Sequence, residues 1–258
     1  MKNSRFREFL EKTTTKLPTL PLTHTTDGWV FEEKLISKKE SLAPTKCTFL
    51  GDEILYLFYG RPTYRVNANV ESTDQEAFHS ICFVIDGSAV TNVRNIFPFD
   101  TGAFVTERYK EHLHPKMELG DFALGTRMDI AAKLIERIYG SNINYYMGRV
   151  RRDFESDNAP MSVRSYHSLV GSSSASATDT RRSSIELQSL DPIDIRSAKI
   201  LAVVVPEQML DRREVREFIE LELSAKGVGY FCIHASPRED MALIMKEVRD
   251  FYKAEGLL

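Results

Sequence analysis

His24 is followed by Thr25 and Thr26, and the three stand at the end of the apolar run Leu20-Pro21-Leu22. An imidazole beside two hydroxyls offers several donors and acceptors at one spot, the kind of floor a nucleotide pocket needs. Further on, "LYLFYGRPTYR" (55–65) carries Tyr59 and Tyr64 with Arg61 and Arg65. Tyrosine rings offer flat faces for stacking, and guanidinium groups offer planar forks for oxyanions. "RRSSIELQS" (181–189) places Glu186 shortly after two hydroxyls on a strand-like run, where a carboxylate can stabilise developing positive charge. Each residue also has an ordinary reading. His24 can be a satisfied core or surface histidine, Tyr59 plain core packing, Arg61 half of a surface ion pair, and Glu186 a solvent-facing strand residue.

Other chemistry is thinner. His112 and His114 have a spacing that suits a metal on a strand, but no ligand cluster stands near them, and a polar loop is the reading. "FPFDTGAF" (97–104) reads as an Asx turn at Asp100, with a ligand-binding turn as the alternative. The phosphate cradles GxxxxGK[ST] and GxGxxG, the GxSxG elbow and the HExxH zinc motif are absent.

The elements that must position these groups follow from periodicity. Residues 4–12 form a short helix through Phe6, Phe9 and Leu10. Residues 20–24 read as a strand, 28–37 as a helix capped by Asp27, and 52–60 and 78–86 as buried strands. Residues 94–104 read as a strand end opening into a loop, and 127–139 as a helix closed by Gly140. Serine-rich residues 158–184 read as a mobile loop, either an insertion or a lid. Strands follow at 184–190, 198–206 and 227–234, with a helix at 211–223. Ser236, Pro237 and Glu239 cap a final helix whose stripe is Met241, Ile244, Met245, Val248, Phe251 and Tyr252.

Strands do not alternate strictly with helices, so the fold class is α+β, mixed and mainly antiparallel with flanking helices, in one domain over 1–258. A 258-residue chain is long enough for a sizeable core, and with 42% hydrophobic and 28% charged residues its composition is that of a globular protein. The net charge of −3 supplies no global basic field. Arg149, Arg151, Arg152, Arg181 and Arg182 remain as local basic patches beside the serine-rich segment. Three widely spaced cysteines, Cys47, Cys82 and Cys232, exclude a disulfide framework and point to a reducing compartment. With no apolar leader and no membrane-length segment, a cytoplasmic location away from membranes is expected.

"PLTHTTDGWVFEEKLISKKESLAP" (21–44) resembles the opening of ADP-ribosyltransferase-fold enzymes, and looks most like the bacterial toxin branch that modifies nucleic acid. There an apolar strand carries a histidine-plus-hydroxyl motif and runs into a helix. Tyr59 or Tyr64 and then Glu186 follow in the family order of histidine, tyrosine, glutamate. The resemblance implies a split sheet with NAD bound in a cleft between its halves. His24, Thr25 and Thr26 would fix the pose, Tyr59 or Tyr64 would stack the nicotinamide, and Arg61 or Arg65 would hold the pyrophosphate. Glu186 would bind the ribose 2′-hydroxyl and stabilise the oxocarbenium-like transition state. The implied activity is mono-ADP-ribosylation of a protein or nucleic acid, as in a toxin or defence effector. The alternative is a non-catalytic module that senses a nucleotide or holds a partner. Glu186 discriminates, because the catalytic reading requires it to face the cleft of His24 and Tyr59.

Overall fold

The computed structural model describes residues 4–63, 73–154, 158–172, 180–232 and 236–258. In chain order the helices are α1 (Arg5–Glu11), α2 (Thr101–Val105), α3 (Asp129–Ile138), α4 (Asn142–Tyr146), α5 (Met161–Gly171), α6 (Glu207–Asp211), α7 (Arg213–Glu217) and α8 (Pro237–Ala254). The strands are β1 (Leu22–Asp27), β2 (Thr45–Lys46), β3 (Glu53–Tyr59), β4 (Ser80–Ile85), β5 (Val93–Phe97), β6 (Glu186–Ser189), β7 (Ile200–Pro206) and β8 (Lys226–Tyr230).

The strands form one open sheet in the order β5-β6-β3-β1-β4-β7-β8, with β2 paired to β3. Every pairing is antiparallel except β7 with β8. The architecture is therefore α+β, with helices flanking a mainly antiparallel sheet. The sheet has a weak seam. β1 pairs with β4 over six residues but with β3 only at Leu22↔Tyr59 and Thr23↔Phe58. Beyond that point β2 pairs with β3 at Ile54 and Glu53.

Strand alternation splits the core between two faces. Leu22, Leu57, Phe83 and Val203 lie on one face, in the larger cluster with Phe6 of α1, Leu134 of α3 and Tyr166 of α5. Cys82, Val84, Ala202 and Val204 lie on the other, under Met241, Ile244, Val248 and Tyr252 of α8. Each such buried apolar side chain of α8 contributes about 1.5–3 kcal/mol. The helix starts where its sequence signal lies, with the Ser236 N–H donating to Glu239 Oε2 at 2.7 Å.

Three expectations change. The stretch after Trp29 is helical but wound in the wider π form over Val30–Ser37, with Val30 N–H on Asp27 Oδ1 at 2.8 Å. The segment 211–223 is broken into α7 and a π turn over Phe218–Glu222. Within 158–184 the loop reading is corrected at its centre. Met161–Gly171 is helix, burying Val163, Tyr166, Leu169 and Val170 along one face. The apolar spacing was there, diluted by serines that face outward or sit at the helix margin. Residues 173–179 lie outside the described residues.

Candidate functional site

Glu186 is the first residue of β6 and sits between two strands, opposite Phe58 of β3 and Phe97 of β5. Both rings are buried, and Glu186 is itself 1% exposed. Three donors hold its carboxylate. Thr101 N–H reaches Oε2 at 2.9 Å, Thr101 Oγ1 reaches Oε1 at 2.8 Å, and Gln188 Nε2 reaches Oε1 at 2.7 Å. Thr101 is in place because Asp100 caps α2, accepting the Ala103 N–H at 2.7 Å. The Asx turn expected at Asp100 is thus a helix cap that delivers a partner to Glu186.

Gln188 is fixed from its other end. Arg94 Nη1 donates to Gln188 Oε1 at 3.0 Å, and Arg94 Nε donates to Asp52 at 2.8 Å. A chain of hydrogen bonds therefore runs from the partly exposed Asp52 to the buried carboxyl. Burial pushes the Glu186 carboxyl up, to about 7, and the nearby Asp100 charge adds to it, while the three donated bonds pull the other way. A buried carboxyl poised near neutrality and oriented by fixed donors can exchange a proton or meet a cation at physiological pH.

His24 lies elsewhere. The register sets Thr23, Phe58 and Glu186 on one face, and alternation turns His24 to the other. His24 Nδ1 is 3.0 Å from the Tyr56 carbonyl, bridging the gap where β1 and β3 part. A cleft of about 460 Å³ opens there, lined by His24, Thr25, Thr26, Lys34, Tyr56 and Phe78 among others. Glu186 and Tyr59 do not line it. Thr25, opposite Cys82 in the ladder, shares its face with Thr23 and so with Glu186.

Tyr59 is 1% exposed in the core. Its hydroxyl accepts the Leu20 N–H at 3.0 Å, and its carbonyl accepts the Tyr145 hydroxyl at 2.8 Å. Burial pushes its phenol up to about 12. Arg61 follows Gly60, whose φ of +69° ends β3, and donates from Nη1 to Ser183 Oγ at 2.6 Å. Tyr64 and Arg65 lie outside the described residues. The structure thus brings Thr25 to the Glu186 face and His24, Thr25 and Thr26 to one cleft. It does not bring His24, Tyr59 and Glu186 together.

Gln188 and Arg94 were missed from sequence, while Thr101 was read only as part of the turn at Asp100. Glu186 and Gln188 are two apart on a strand, so they share a face, and that spacing was a legible signal. Nothing local announced Arg94 or the meeting of Thr101 with Glu186, which come about through pairing of β5 with β6. Among the described residues no group of three or more His, Cys, Asp or Glu could hold a metal, and no helix is long and apolar enough to cross a membrane. No family model, curated protein or solved structure matches the chain.

Proposed function

We propose that the protein binds a nucleotide in the cleft beside His24, since Glu186, which the catalytic reading required to face that cleft, does not line it. The second reading is that the protein binds NAD and transfers its ADP-ribose to a protein or nucleic-acid acceptor, in the manner of a toxin or defence effector. One observation keeps this transfer reading. Glu186 is a buried carboxyl near neutrality, held by oriented donors on the late strand where the resemblance expects the catalytic glutamate. The seam between β1 and β3, with a cleft at its opening, agrees with the split sheet that the resemblance implies.

The transfer reading needs roles that differ from the three-residue constellation. Glu186 would take the ribose 2′-hydroxyl in place of the Thr101 hydroxyl and, as carboxylate, stabilise positive charge as the C1′–nicotinamide bond breaks. Thr25, on its face, would hydrogen-bond the bound dinucleotide. His24 and Thr26 would line the adjoining cleft. Tyr59, in the core, has no stacking role in this arrangement.

The binding reading is carried by the separation of His24 from Glu186. The cleft alone would then bind a nucleotide without cleaving it. Free nicotinamide from NAD, measured for the wild type and for folded Glu186→Gln, decides between them. Release that falls by about 10²–10³-fold in the variant supports transfer chemistry. NAD binding with no release supports the module. Neither binding nor release rejects both.

A further inference from the structure

Arg61 is a buried cation without a counter-charge among the described residues. It is 6% exposed, its Nε has no hydrogen-bond partner, and it makes no ion pair among the described residues. A lone buried charge is costly, so buried arginines ordinarily carry a carboxylate. Arginines elsewhere in this chain do have one, as Arg94 has Asp52 and Arg212 has Glu32.

Two further orphan donors lie on the segment that Arg61 holds. Arg61 Nη1 binds Ser183 Oγ at 2.6 Å, and Ser183 Oγ donates to the Thr180 carbonyl at 3.1 Å. Arg182 Nη1 and Thr180 Oγ1 are both buried and have no hydrogen-bond partner among the described residues. Burial pushes the Tyr139 phenol up to about 12, and the charges of Arg61 and Arg182 both pull it back, so both positive charges act on the same buried ring. Gly148 completes the surroundings, because a Cβ there would lie 3.6 Å and 3.8 Å from Arg61 Nη1 and Nη2.

The three orphan atoms can all donate. Two are charged, so the complementary ligand is an oxyanion with about two negative charges. We propose that Arg61, Arg182 and Thr180 form a phosphate-binding site, fitting inorganic phosphate, pyrophosphate or the diphosphate of a nucleotide. The site adds Arg182 and Thr180 to the contact that the resemblance assigned to Arg61. It does not depend on NAD being cleaved.

The test is calorimetric titration of the full chain with inorganic phosphate, pyrophosphate and ADP-ribose at matched ionic strength. Arg182→Gln should weaken binding by about 10- to 100-fold, as loss of a charge-assisted hydrogen bond does. Thr180→Val should weaken it less. Arg213→Gln, at an exposed ion pair with Glu217, should leave it unchanged. If Arg61→Gln does not fold, the Arg182 and Thr180 variants carry the test. Equal affinity for phosphate and ADP-ribose makes the phosphate the whole ligand, and tighter ADP-ribose assigns a nucleotide; both support the site. No binding of any probe at millimolar concentration, or binding indifferent to Arg182→Gln, overturns it. Nicotinamide release measured on the same samples separates failure of this site from failure of the transfer reading.

Discussion

His79 lies between Asp240 and Thr73 with both ring nitrogens facing acceptors. Nδ1 is 3.1 Å from each Asp240 carboxylate oxygen, and Nε2 is 2.8 Å from the Thr73 carbonyl. Both nitrogens must then carry hydrogen, which makes the ring an imidazolium. Asp240 also accepts the Ser80 N–H at 2.9 Å, and the Tyr230 hydroxyl donates to the Ser80 carbonyl at 2.8 Å. The first turn of α8 is thereby stitched to the start of β4.

This pair predicts a pH dependence of stability. The hydrogen bond that His79 donates to Asp240 raises its pKa, against burial, which lowers it. The contribution is full below the unfolded value of about 6.5 and is lost as pH rises through the higher folded value. Urea unfolding across that range should show stability falling with pH. Asp240→Asn should remove this slope and cost about 3–5 kcal/mol on the acid side. A wild-type profile flat above neutrality would sink the assignment.

Glu186 predicts a second slope of the same sign. Its folded value of about 7 lies above the unfolded one. This contribution is therefore full below about pH 4.3 and lost as pH rises through the folded value, by ~4 kcal/mol. Glu186→Gln should flatten this window and leave the His79 slope in place. In the transfer reading, wild-type nicotinamide release should rise with pH through neutrality, as the carboxylate forms. An unchanged stability profile in the variant would place the titration elsewhere.

Gly28 tests the entry to the seam. A Cβ there would overlap the Glu76 carbonyl, which is backbone and cannot swing aside. Gly28→Ala should force apart the end of β1 and the turn over Glu76–Phe78, costing about 1–3 kcal/mol. The melting temperature reads the effect, and an unshifted value would show that the turn yields freely.

Tyr59→Phe separates a core role from a stacking role. The variant keeps the ring but leaves the Leu20 N–H without its acceptor, so stability should drop by about 1–3 kcal/mol. Affinity for NAD or ADP-ribose should stay the same. A stable variant with weakened ligand binding would restore Tyr59 to the site.

Much of the fold was legible because its signals are local. β3, β4 and β7 are unbroken apolar runs, α3 has a clean apolar stripe ending at Gly140, and α8 opens with its own cap. The helix at Met161–Gly171 was hidden because its apolar positions are diluted by serine. The site was half legible. Glu186 and Arg61 stand out by type and context, but their surroundings come from far along the chain. Thr101 meets Glu186 across 85 positions and Ser183 meets Arg61 across 122. The face that a side chain takes depends on register, which is why His24 and Glu186 separate. Asp240 and His79, 161 positions apart, had no signal in either local segment.

The junction of β1 with β3 has a mechanical consequence. It is closed by two residue pairs, whereas β1 with β4 has six and β7 with β8 has five. Zippers of unequal length in series open at the shortest. Under load, or under a wedge driven into the cleft beside His24, the sheet should part between Thr23 and Phe58. The amide hydrogens of that short ladder should then exchange with solvent before those of the flanking strands.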